Sequence, residues 1–280
     1  MAKWIISAFA DECSASLDGQ IKALTENGIQ RIELRFIDGK NIADFTHSEA
    51  VELKKRLAAG GVSASAIGSP LGKINLADDF DEHLEKAKRV FDTAGVLGTD
   101  KIRMFSFYLH KDKTREECRE EVLDKLGRLL DLAEGFDVKL CHENEAKIYG
   151  ESPEYCLDIL KHFGGRMRAV FDMGNFVLDK HDPIAAYGLL KDHIEYFHIK
   201  DAFKTGSIVP AGCGEAKIGE LLHTYRDEFG KDVLLSIEPH LQVFKGLDTL
   251  VGKEFSNPFT FKTKEEAFKA AVDKTKELLL

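Results

Sequence analysis

Glu143, Asp172, His198 and Glu238 are side chains that can bind a divalent cation, and each closes a short apolar run: VKLCHE, MRAVFD, IEYFH and VLLSIE. If those runs are neighbouring parallel strands, side chains at their carboxyl ends share one mouth. Three carboxylates within a few ångströms repel one another by roughly 4 kcal/mol per pair at an effective dielectric near 20, so they need a cation among them. Oxygen donors with one imidazole suit Mn, Mg, Co or Zn rather than copper or an iron-sulfur centre, and they do not choose among those four. Taken singly, an acid at a strand end can equally cap a helix or pair with a rim lysine. Four in succession argue for a shared ion. Alternation along a strand then turns His142 toward the helices when Glu143 faces the mouth, and puts Lys200 on the same side as His198.

The elements that would carry these residues recur along the chain as an amphipathic stretch, a glycine, a β-branched run and a polar stop. Instances are ENGIQRIELR (26 to 35), AAGGVSASAIGS (58 to 69), LGTDKIRMFS (97 to 106), AEGFDVKLCHEN (133 to 144), FGGRMRAVFDMGN (163 to 175) and EFGKDVLLSIEP (228 to 239). WIISAFADE at the start and IEYFHIKD (194 to 201) bring the strands to eight. Gly28, Gly60, Gly135, Gly164 and Gly230 stand where helices should end in a left-handed residue. Thr46 with Glu49, Thr114 with Glu117 and Thr263 with Glu266 fit capping boxes, and Ser152-Pro153 fits a helix start. Strands alternating with helices imply a parallel sheet, and no GxGxxG or GxxxxGK[ST] phosphate turn is present. The expectation is an α/β chain folded as one (β/α)8 TIM barrel over residues 1–280.

Composition narrows the partners. At 280 residues and 44% apolar content the chain can bury a large core, and a net charge of −9 with scattered Lys and Arg disfavours nucleic acid. Cys13, Cys118, Cys141, Cys156 and Cys213 form no CxxC pair, which argues against disulfides. The opening MAKWIISAFA reads as a buried strand and not as a signal or a membrane span, so a cytoplasmic location is expected.

Four segments, KLCHENE (139 to 145), FDMGN (171 to 175), FHIKD (197 to 201) and SIEPH (236 to 240), resemble in order and spacing the xylose-isomerase-like TIM barrel superfamily. That group gathers sugar isomerases, ketose 3-epimerases, inosose dehydratases and endonuclease IV. The resemblance implies one metal held by Glu143, Asp172, His198 and Glu238, with Glu143 and Glu238 also exchanging protons across the enediolate of a small ketose, polyol ketone or sugar phosphate. Where ketose 3-epimerases carry a second Glu, a His and an Arg, this sequence has Tyr149, Asn175 and Lys204. The substrate therefore stays open, with an inosose-dehydratase-like lyase, a non-catalytic sugar-binding barrel and an endonuclease IV-like hydrolase as alternatives. No extra His and Asp ligands of a trinuclear or binuclear site are found.

Further residues could contact a small carbohydrate. Asn175, Lys200, Lys204 and His240 follow the ligand positions closely. Arg35, Lys73 and Arg103 lie at or near the ends of the second, third and fourth strands, opposite the metal side, where they can hold a phosphate or carboxylate or else pair with Glu33 and other rim acids. Phe9, Phe36, Phe105 and Phe176 can wall the pocket. Residues 240–261, with Phe244, Phe255, Phe259 and Phe261, read as a lid or as the contact of a homo-oligomer.

Overall fold

The alternation of apolar runs with amphipathic stretches resolves, in a computed structural model, into eight parallel strands closed on themselves. Residues 2–241 and 259–280 are described; Phe244 and Phe255 lie outside them. The strands are β1 (Trp4–Ala8), β2 (Arg31–Leu34), β3 (Ser63–Gly68), β4 (Lys101–Met104), β5 (Lys139–Glu143), β6 (Met167–Asp172), β7 (Ile194–Ile199) and β8 (Val233–Ile237). Each pairs in parallel with its sequence neighbours, and β1 closes the ring by pairing with both β2 and β8. Helices α1 (Leu17–Glu26), α2 (His47–Ala59), α3 (Phe80–Leu97), α4 (Arg115–Ala133) and α5 (Pro153–Phe163) return the chain between successive strands. Short α6 (Met173–Leu178) and α7 (Pro183–Leu190) do so after β6, α8 (Ile218–Phe229) follows β7, and α9 (Lys264–Leu278) follows β8.

Local sequence explains these boundaries. Thr46 and Thr114 form reciprocal capping boxes with Glu49 and Glu117, and Ser152 accepts the Tyr155 amide ahead of Pro153. Thr263 accepts the Glu266 amide, but the Glu266 carboxylate takes the Lys262 N–H, so that box is only half formed. The left-handed residue after α2 is Gly61 rather than Gly60, and Gly135 is absent from the positive-φ glycines because α4 ends through the right-handed Glu134.

Two cores follow from strand alternation. One face of every strand packs on the helices in a continuous apolar layer, where each fully buried aliphatic or aromatic side chain contributes about 1.5–3 kcal/mol. The other face fills the barrel, where Ala66, Cys141, Val170, Tyr196 and Leu234, with Ile5 against them, form a small apolar plug. Above that plug the inward positions turn polar, at Glu33, Arg103, Glu143, Asp172 and His198, all buried. All five cysteines are free. Among the described residues no helix is long and apolar enough to cross a membrane.

Two buried histidines belong to the scaffold. His142 turns from the mouth as alternation predicts and meets Ser106 Oγ at 2.9 Å, with Gly150 leaving room for its ring. His83 Nε2 accepts the Gly72 N–H at 3.0 Å, and burial pushes its pKa down to about 4. An unfolded histidine takes its proton near 6.5, so His83 contributes stability that is complete above that pH and is lost as pH falls toward 4. His83→Gln keeps an acceptor for Gly72 but cannot titrate. Its loss of melting temperature between pH 7 and pH 5 should be smaller than that of the parent protein, by the equivalent of about 1–2 kcal/mol. Parallel melting curves check this, and identical pH slopes refute it.

Candidate active site

Four adjacent strands bring the ligand-type residues together. Glu143 and Asp172 are the last residues of β5 and β6, His198 is next to last in β7, and Glu238 follows β8 directly. Each offers a donor atom, and the four atoms lie within 4.8 Å of one another. None is more than 3% exposed. His198 Nδ1 is 3.0 Å from Glu143 Oε1 and 3.5 Å from Glu238 Oε2. Glu143 Oε2 is buried and, among the described residues, receives no hydrogen bond. A donor set of three carboxylates and one imidazole, with an unsatisfied buried oxygen among them, fits a divalent cation.

The protein's own cations also enter this space. Lys200 Nζ donates to Asp172 Oδ2 at 2.8 Å, Glu238 Oε2 at 3.0 Å and Asn175 Oδ1 at 3.0 Å. Arg103 Nη1 stands 3.1 Å from Glu143 Oε2. Arg35 donates to Glu238 Oε1 at 2.9 Å and grips Asp11 with two nitrogens. Burial would raise Glu143, but His198 and Arg103 outweigh it and hold the carboxyl at about 2. Asp172 goes the other way, since burial, opposed by Lys200 and reinforced by Glu143 and Glu238, lifts it to about 6. Burial would lower His198, yet Glu143 and Glu33 on its two nitrogens raise it well above its ordinary value. Asp172 meanwhile caps α6, its Oδ1 accepting the Asn175 N–H at 2.8 Å. The capping and lysine-pairing uses of a strand-end acid thus coexist with its place in the donor cluster.

The remaining candidates divide. Asn175 is inside, its side chain donating to the Asn144 carbonyl at 2.9 Å and lying 3.4 Å from Glu143 Oε1. His240 is at the edge, with Nε2 3.1 Å from Glu12 Oε1 and 3.6 Å from Glu238 Oε1. Arg35 and Arg103 do not stand opposite the metal side: Arg103 is on β4, paired with the β5 strand that carries Glu143, and Arg35 lies just past β2, which meets β8 through β1, so they reach Glu143 and Glu238. Lys73 stays outside, paired with Glu145 at 2.9 Å over the Phe105 ring. Lys204 is exposed in the turn after β7, and its backbone N–H donates to Glu215. Tyr149 is buried with its hydroxyl on Asp158, away from the cluster. Phe9 edges against His198 at 5.2 Å and Phe105 lies under Arg103, whereas Phe36 is exposed and Phe176 packs on Phe171.

Several supporting residues escape a reading of strand ends. Asn144 clamps β5 to β6, accepting the Asp172 N–H at 3.0 Å and donating to its carbonyl at 2.9 Å. Asp201 accepts four backbone N–H groups, from Ala202, Gly212, Gly214 and Ala216, and so fixes the loop after β7. Asp11 and Glu12, past β1, hold Arg35. Glu12, Glu238 and His240 form a second group of potential ligands, but the Arg35 guanidinium already supplies positive charge there. Glu33, on β2, faces His198 Nε2 at 3.2 Å. The signal for it was the RIELR pattern, which points Glu33 and Arg35 to the same side of β2.

The family described as Xylose isomerase-like TIM barrel matches residues 21–275. No curated protein matches the sequence. Among solved structures, the IolI protein with a bound zinc atom aligns at TM-score 0.75 and 18% identity over 98% of this chain and 97% of that one. The probable 3-DHS dehydratase AsbF of Bacillus anthracis aligns at TM-score 0.72 and 18% identity over 99% of each chain. The 3-keto-D-glucoside 4-epimerase YcjR of E. coli aligns at TM-score 0.71 and 12% identity over 100% of this chain and 99% of that one. At these identities the likeness establishes the fold.

Divalent metal should stabilise the folded chain, because the donor cluster exists only there. Zinc or manganese at 100 times its dissociation constant adds about 2.7 kcal/mol, a shift of several degrees in melting temperature. Asp172→Asn should lose most of that shift. The gain should shrink as pH falls, because a metal at His198 Nδ1 must displace the proton that Glu143 and Glu33 favour. Thermal melts with and without metal at two pH values check all three, and a wild type indifferent to every divalent ion would refute the metal centre.

Proposed function

The chain belongs to the xylose isomerase-like TIM barrel family, and from that premise we propose that it is a metal-dependent enzyme moving a proton at the carbon beside a carbonyl of a small carbohydrate. The observation that carries this reading is the buried Glu143, Asp172, His198 and Glu238 group with donor atoms within 4.8 Å. All four would hold the ion. When bound, a divalent cation supplies Lewis-acid polarisation of the substrate carbonyl and its neighbouring hydroxyl, which acidifies the adjacent C–H.

The protein's residues do the rest. Glu143 and Glu238 bracket Asp172 and His198 along the arc of strands, so one carboxylate can accept the proton and the other can return it. Return to the opposite face inverts the carbon and gives epimerisation; transfer to the neighbouring carbon gives isomerisation. Lys200 and Arg103 can hold hydroxyl or keto oxygens as negative charge develops there. Asn175 fixes Lys200, and the Phe9 and Phe105 rings pack beneath the Arg35 and Arg103 guanidinium groups and support them.

One observation favours a second reading, the dehydratase. The buried Lys200 ammonium is hydrogen-bonded to Glu238, where it could protonate a departing β-hydroxyl once Glu238 has taken the carbon proton. Incubating a panel of ketoses and keto-polyols in deuterated water separates the two. Solvent deuterium in an otherwise intact product indicates an epimerase or isomerase, and loss of water indicates the lyase. In either case Glu143→Gln and Glu238→Gln should lower turnover by about 10²–10⁴-fold. If wild-type protein loaded with metal turns over no member of the panel while Glu238→Gln retains sugar affinity, the barrel is a binding protein.

A further inference from the structure

Glu33 is a buried carboxylate that neither the four metal-holding residues nor the proton-transfer pair requires. It lies on β2, 1% exposed, across the barrel from β7. Its two oxygens stand 3.3 and 3.2 Å from His198 Nε2, and the Tyr196 hydroxyl donates to Oε1 at 2.9 Å. A carboxylate only accepts hydrogen bonds, so an imidazole nitrogen facing one is held as N–H. Nδ1, facing Glu143 and Glu238, would give up its hydrogen to a metal bound among the donor atoms, whereas Nε2, facing Glu33 away from that cluster, would keep its own. Phe9 meets the ring edge-on at 5.2 Å and Tyr196 at 5.5 Å, so the imidazole is held on its sides as well.

We propose that Glu33 is a positioning residue that holds His198 through its Nε2–H, so that Nδ1, on the side of the three carboxylates, is the nitrogen left to donate to a metal. The inference rests on the metal reading above and adds to it a tautomer and a residue that selects it. A neutral imidazole has one lone pair and two nitrogens, and a ring free to choose either tautomer presents a protonated Nδ1 part of the time. An acceptor locked onto Nε2 removes that state and makes Nδ1 the better donor. Tyr196 in turn holds Glu33, which gives a chain Tyr196–Glu33–His198 inside the barrel, with Tyr196 in the apolar plug. Glu33 thus acts through His198 and not on substrate.

The experiment uses the full chain, stripped of metal and titrated with Zn²⁺ against a chromophoric chelator. Glu33→Gln should weaken zinc binding by about 10–100-fold, with Glu33→Asp in between. Tyr196→Phe, which leaves the Glu33 contact to His198 in place, should weaken it less than Glu33→Gln. In zinc-loaded protein with ¹⁵N-labelled histidine, the His198 Nε2–H proton should resonate far downfield, as in a charge-assisted hydrogen bond, and should move upfield in Glu33→Gln. A packing role alone would not move that resonance. Should Glu33→Gln not fold, Glu33→Asp carries the same two measurements. Wild-type affinity in both variants with an unmoved Nε2–H signal overturns the proposal while leaving the metal reading intact. A wild type that binds no zinc overturns both.

Discussion

Four carboxylates buried beneath one mouth, at Glu33, Glu143, Asp172 and Glu238, set the terms for everything around them. Like charges this close cannot all stay ionised in a dry barrel without compensating cations. The chain answers with Lys200, Arg103 and Arg35, each aimed at one or two of the acids, and with an imidazole between carboxylates on both nitrogens. The uneven result, Glu143 held low while Asp172 is lifted, shows that the compensation is local and differs from acid to acid.

That constraint explains how the barrel is layered. Hydrocarbon fills the bottom, with Tyr196 and Leu234 among the six side chains there, and charge fills the top. The boundary runs within single strands: β7 supplies Tyr196 to the plug and His198 to the site, two residues apart. Strand period thus converts one residue pair into adjacent layers of opposite chemistry. The outer helices bury the remaining apolar faces and leave the mouth open to polar specialisation.

Much of this was legible in the chain. Strands ending in acids, helix caps and the segments around positions 143, 172, 198 and 238 are local patterns, and local patterns survive translation into structure. Neighbourhood around a closed ring was harder to read. Arg35 and Arg103 belong to strands far from most of the acids in sequence, but β4 pairs with β5 and the ring closes β2 onto β1 and β8, so both arrive among the acids. Glu33 was seen as a partner for those arginines, whereas the β2 strand points it at His198 instead. Lys204 follows His198 closely in sequence, yet the tight turn after β7 carries it to the surface. Closeness in sequence predicts closeness in space only while the chain runs straight.

The four hydrogen bonds that converge on Asp201 have a further consequence. They engage main-chain groups alone, so the shape of the loop over residues 202–216 is set without reference to most of its side chains. Gly214 is bound to its identity, because a Cβ there would fall 2.3 Å from Asp201 Oδ1. Outward-facing positions carry no such obligation. A rim built this way can exchange surface chemistry over evolutionary time while its backbone trace stays put, which gives new specificities a fixed place to be tried.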